Sequence, residues 1–140
     1  MRWTGPEQWH VTLRFLGSVD DVEVAKGRLH DVVAPMALAE MGPASDRFGD
    51  RVLHVPVQGL SALAAAVVAA SAEIGEPPND RAFSGHITLA RPRGRSKVDL
   101  RLLTGTPLAA TWAVHEVTLV ASTTRPEGAH YEVIERQPTS

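Results

Sequence analysis

The stretch Trp9-His10-Val11-Thr12-Leu13-Arg14-Phe15-Leu16-Gly17 alternates polar His10, Thr12 and Arg14 with apolar Val11, Leu13 and Phe15. A period of two is the pattern of a strand with one wet and one buried face. It predicts that His10, Thr12 and Arg14 project from the same side. An echo stands at Gly85-His86-Ile87-Thr88-Leu89-Ala90-Arg91, where His86 and Thr88 alternate with Ile87 and Leu89. Pro92 follows and ends that strand, because proline has no N–H to give to a ladder. Both stretches read His-x-Thr-Leu. A single copy is an ordinary half-exposed strand, since threonine favours strands and a lone histidine is usually just a partly buried polar residue. Random order of this composition, however, gives about 0.04 copies, and two are present.

The totals bound what the pair can belong to. A chain of 140 residues is long enough to bury a sizeable interior as one domain or two small lobes. Lys and Arg number 14 against 16 Asp and Glu, so no net positive field is available to grip a long nucleic acid. Any nucleic-acid contact is expected to be local. There is no cysteine, which excludes disulfides and thiolate metal sites and fits a reducing cytoplasm. The longest apolar run, residues 63–70, is too short to cross a bilayer, and no basic-then-apolar signal opens the chain. The expectation is a cytoplasmic protein without a membrane partner.

Outward from the first motif, Ser18 or Asp20 is expected to cap a helix with Val22, Ala25, Leu29 and Val32 on one side, ended by Pro35. Residues 36–41 read as a strand and 42–49 as a loop. Residues 51–58 read as another strand, which Pro56 assigns to a sheet edge or to the strand's own end. The clearest helix is 61–74, with Gly75 just past it. A loop over 76–81 leads to the second motif. Beyond it come a short helical piece over 98–103 and two strands, 111–122 and 129–135, around the turn Arg125-Pro126-Glu127-Gly128. The second half thus runs strand, helix, motif strand, short helix, strand, while the first begins at its motif strand. If the motifs mark duplicated lobes, the first lobe lacks the strand and helix that precede His86 in the second.

These residues resemble the two-histidine phosphoesterase superfamily, and within it the bacterial and archaeal RNA 2',3'-cyclic phosphodiesterases, also called 2'-5' RNA ligases or LigT-like proteins. The resemblance rests on the paired motifs, one continuing as Arg14-Phe15-Leu16-Gly17 and the other as Ala90-Arg91. Trp3, Phe48-Gly49 and the tail Val117 to Ser122 with Gly128 and Tyr131 also sit where that family has similar residues. It implies an α+β fold: two pseudo-symmetric lobes of antiparallel sheet with flanking helices around a central cleft, forming a single bilobal domain over 1–140. Family members carry an extra N-terminal strand and helix, agreeing with the symmetry argument. Gly85 stands where the family often has proline, a difference expected to matter little.

The chemistry follows from the residue types. Opening a cyclic phosphodiester needs a base to activate water and an acid to protonate the departing ribose oxygen. Two imidazoles supply both without a metal, because an unperturbed pKa of about 6.5 lets one be neutral while the other is charged. His10 and His86 are the expected catalytic pair. The residues do not say which is acid and which is base; the resemblance implies His10 as acid on the 3' oxygen and His86 as base. Thr12 and Thr88 offer hydroxyls on the same faces for phosphate oxygens. Arg91 is the candidate for charge stabilisation through its bidentate guanidinium, although strict alternation points it away from His86 unless the strand bends near Pro92. Arg14 is a weaker candidate.

Five basic residues, Arg81, Arg91, Arg93, Arg95 and Lys97, occur without an acidic one in 81–97. They read equally as a guide for an RNA end and as a solvated loop. His30, His54, His115 and His130 have no metal-ligand spacing and read as ordinary surface or core residues. Trp3, Trp9, Phe48, Trp112 and Tyr131 read as packing residues rather than base-stacking ones. The expected function is metal-independent hydrolysis of RNA or nucleoside 2',3'-cyclic phosphate to a 2'-phosphate, by a monomer without cofactor acting on an RNA 3' end or a small cyclic nucleotide. The alternatives are a nucleotide- or RNA-end-binding module of the same fold, 2'-5' RNA ligation, and hydrolysis of another small cyclic phosphate.

Overall fold

The computed structural model describes residues 1–78, 80–94 and 98–139. The fold is α+β, mostly antiparallel sheet with two α-helices. The chain divides into two compact units. The first comprises Met1–Thr12, Leu38–Ser61 and Phe83–Trp112; the second comprises Leu13–Ala37, Ala62–Ala82 and Ala113–Ser140.

The first unit is built on β4 (Val52–Gln58) and β5 (His86–Arg91), paired antiparallel with His54 opposite Thr88 and Pro56 opposite His86. Their alternation separates two faces. Leu53, Val55, Val57, Ile87 and Ala90 are buried on one of them, with Leu100 joining Leu53 and Ala90 in a core cluster. Burying a side chain of the Val or Leu kind contributes about 1.5–3 kcal/mol, so this face is what fixes the register. Short β1 (Arg2–Trp3) adds to the far edge of β5. On the other side, β2 (Ala37–Met41) and β3 (Asp46–Phe48) pair in turn with successive parts of β4, and β6 (Ala110–Val114) follows β2.

The strand carrying Pro56 is therefore interior, not an edge. Its tolerance has a local cause. The Pro56 carbonyl accepts from Gly42 N at 2.9 Å, so its nitrogen faces the break between β2 and β3, where no ladder donor is needed. Gly85 also matters more than expected: a Cβ there would lie 2.5 Å from the Val57 carbonyl oxygen, closer than real contacts allow, and Val57 N bonds Gly85 O at 2.8 Å. Glycine is what lets the chain enter β5 this close to β4.

In the second unit, α1 (Val22–His30) is capped by Asp21, one residue after Asp20 and three after Ser18, the expected caps. The Asp21 carboxylate accepts from Glu23 N at 3.0 Å and Val24 N at 3.4 Å. Ala25 and Leu29 are its buried positions. The helix packs on the hairpin of β7 (Glu116–Arg125) and β8 (Gly128–Pro138). His30, in the last turn, reaches Gln137 Oε1 at 2.9 Å and Glu135 Oε2 at 3.5 Å, and these partners raise its pKa above the usual histidine range. The expected strand over 111–122 is two strands parted at His115. The second helix, α2 (Ser61–Ser71), stops three residues short of Ile74, and the piece over 98–103 is one 3-10 turn, Leu100–Leu102.

The largest departure concerns the first motif. Residues 9–17 form no strand and pair with no ladder among the described residues. His10 and Thr12 are exposed with Val11 and Leu13 partly buried, so alternation holds over four residues; then it fails, with Phe15 73% exposed and Arg14 turned inward. Arg14 donates to Ser71 O, Ser71 Oγ, Ile74 O and Glu76 O, tying the last residue of α2 to the turn that follows it. Glu76 N returns a bond to Leu16 O at 2.7 Å, and Gly17, at φ +69°, has the Glu76 side chain where a Cβ would go. The Arg-Phe-Leu-Gly continuation is thus a clamp on α2, which removes Arg14 from the phosphate-binding candidates. Arg14→Met is expected to lower the free energy of unfolding by about 2–3 kcal/mol, since bonds to a charged donor are among the stronger ones. Denaturant melts check this, and a loss below about 0.5 kcal/mol contradicts it.

Candidate active site

His10, Thr12, His86, Thr88 and Arg91 all belong to the first unit. The route to His10 is set by β5 itself. Arg2 lies opposite Arg91, Trp3 opposite Ala90, and Thr4 N bonds Leu89 O at 2.8 Å, so the lead runs antiparallel to β5 toward its His86 end. Pro6–Gln8 then make a 3-10 turn, and the Trp9 indole N–H returns to Thr4 O at 3.1 Å.

The two histidines share one local device. His10 Nδ1 lies 2.7 Å from Gln8 O, and His86 Nδ1 lies 2.9 Å from Ser84 O. A carbonyl only accepts, so in each neutral ring the proton sits on Nδ1 and the lone pair on Nε2. Each imidazole is held by the carbonyl two residues before it. His86 is partly buried on β5, while His10 stands in an irregular, exposed segment.

Arg91 reaches its face without a bend at Pro92. The register steps from His54↔Thr88 to Leu53↔Ala90, leaving Leu89 as an extra residue on β5. Such a bulge re-phases the alternation. Ala90 joins Ile87 in the core, fully buried, and exposed Arg91 returns to the side of His86 and Thr88. Arg51 anchors the chain just past β5 by donating to Gly94 O at 2.9 Å and Pro92 O at 3.4 Å. Of the basic run, Arg81, Arg91 and Arg93 are exposed, whereas Arg95 and Lys97 lie outside the described residues.

One residue that sequence reasoning set aside belongs to this face. His54, opposite Thr88, is buried and stacks on Phe48 with centroids 3.8 Å apart at 21°. His86 meets it at 5.3 Å and 63°, and meets Phe48 at 4.9 Å and 83°. Burial pushes the His54 imidazole below the usual histidine range; His86 pushes the same way, and Asp46 opposes. The signal was local: Val52, His54 and Pro56 alternate with Leu53, Val55 and Val57, so His54 had to face away from the core. Among the described residues no group of three or more His, Asp or Glu is arranged to hold a metal ion, and no helix is long and apolar enough to cross a membrane.

The mostly antiparallel α+β fold carries, in its first unit, two carbonyl-held imidazoles and the exposed Arg91. Solved structures share the fold. A Thermus thermophilus protein superimposes with TM-score 0.80 at 26% identity, over 98% of this chain and 81% of that one. Apo LigT of E. coli does so with TM-score 0.74 at 26% identity, over 99% and 80%. A protein described as a phosphoesterase gives TM-score 0.75 at 25% identity, over 99% and 81%. The E. coli protein has also been solved with 3'-AMP, NADP+, phosphate and ATP. No family model matches the chain, and none of the curated proteins does. The chain has the fold of LigT and related phosphoesterases, which fits the two-histidine phosphoesterase superfamily.

Proposed function

We infer that this protein hydrolyses RNA or nucleoside 2',3'-cyclic phosphates to 2'-phosphates, using His10 and His86 as acid and base. The observation that carries the reading is the matched pair of Nδ1–carbonyl bonds, which gives each motif histidine the same tautomer and presents Nε2 for proton transfer. His86 Nε2 takes the proton of water as its oxygen attacks phosphorus. The bond from phosphorus to the 3' oxygen breaks, and protonated His10 delivers its proton to that oxygen. Thr12 and Thr88 donate to the non-bridging oxygens, and Arg91 balances their growing charge. The direction of ring opening, leaving the phosphate on the 2' oxygen, comes from the likeness to LigT-like proteins.

The test is direct: incubate the protein with 2',3'-cyclic AMP and separate the products. Conversion to 2'-AMP at a rate unchanged by chelator is expected, and absence of any turnover contradicts the reading. A second reading is nucleotide binding with little catalysis, favoured by the E. coli structures with NADP+ and ATP, neither of which is a cyclic phosphate. Calorimetry with 2'-AMP separates the two, because binding without turnover selects the second.

A further inference from the structure

His54 is 4% exposed, and neither of its ring nitrogens has a hydrogen-bond partner among the described residues. Buried polar groups in folded proteins are nearly always partnered, and a phenyl or aliphatic side chain would fill the same space without the penalty. Packing alone does not account for a histidine here. Its neighbours are specific. Phe48 covers one face of the ring, and His86 abuts both Phe48 and His54 at steep angles. The Ser84 carbonyl holds His86 at Nδ1, which fixes one axis of that ring. The Phe48 and His54 rings block rotation about that axis.

We propose that His54 is a positioning residue for His86: its uncharged ring, with Phe48, completes the wall that keeps the His86 ring in line. The groups that face His54 are few. From β3 comes Asp46, directly opposite, and from β5 comes His86; β4 contributes no other titratable side chain. Asp46 favours a charge on His54, while burial and His86 oppose it. The neutral ring is therefore the form the fold accepts near neutral pH. Because its folded pKa is depressed, the unfolded chain takes the proton first, so lowering the pH below the unfolded value weakens the cluster.

The kinetic part rests on the phosphodiesterase reading above; the ring contact does not. His54→Ala is expected to lower kcat for 2',3'-cyclic AMP by about 10- to 100-fold with KM within about threefold, the effect of a slightly misplaced catalytic ring. His54→Phe is expected to restore kcat at neutral pH to within about threefold, because a phenyl ring fills the same place without a charge. Full kcat in the alanine variant, or a phenylalanine variant as impaired as alanine, would each overturn the proposal. NMR of the histidine rings reads the same contact without any turnover. The His86 ring protons should show NOE contacts to the Phe48 ring in the wild type and in His54→Phe, weakened in His54→Ala. Absence of those NOE contacts in the wild type overturns the inference, whereas their presence in a protein inactive on cyclic phosphates overturns only the assigned function.

Discussion

His10→Ala and His86→Ala are each expected to lower kcat for a 2',3'-cyclic nucleotide by about 10²- to 10⁴-fold, the usual worth of a positioned acid or base. Folding should survive both changes. His10 is exposed, and its ring bond is to the Gln8 carbonyl, which solvent can replace. The double variant should be little worse than either single one, because groups acting on one transition state do not contribute additively. The pH profiles add a sharper reading. Removing the base is expected to flatten the acid limb, and removing the acid the alkaline limb; on the proposed assignment these belong to His86→Ala and His10→Ala respectively. Losses that multiply in the double variant would mean that the two rings serve separate steps.

Replacing Arg91 by methionine is expected to reduce kcat/KM by about 10²-fold, comparable to losing one donor from a preorganised oxyanion site. Methionine keeps the length of the stem and removes the fork. Lysine should recover part of the loss, since a point charge attracts phosphate without the bidentate geometry. The expectation depends on the bulge at Leu89, which returns Arg91 to the side of Thr88. Steady-state kinetics at fixed ionic strength measure it, because the contribution of an exposed guanidinium is screened by salt. A methionine variant with unchanged kcat/KM would take Arg91 out of the site.

The second motif was legible as a strand because its alternation coincides with a real ladder, β5 between β4 and β1. The first carries the same pattern without a strand. Alternation encodes which side chains face water, and a ladder also needs a neighbour that local sequence does not name. Arg14 shows how such a pattern is overridden. Its guanidinium finds the carbonyls of Ser71, Ile74 and Glu76, which lie far along the chain and are invisible to any window around residue 14. Alternation alone aims Arg91 away from His86; the bulge that re-aims it is a property of how β5 pairs with β4, not of its own residues. His54 could have been suspected from its side of β4. Its meeting with His86 depends on register, and periodicity does not set that.

The claim beneath all of this is that the imidazoles of His10 and His86 serve one phosphate. It is tested most directly by titrating 2'-AMP into protein with labelled histidine rings and following both residues by NMR. Both Nε2 signals should shift together with one Kd and a stoichiometry of one ligand per chain. Signals that move with different Kd values, or a response confined to one of the two rings, would contradict it.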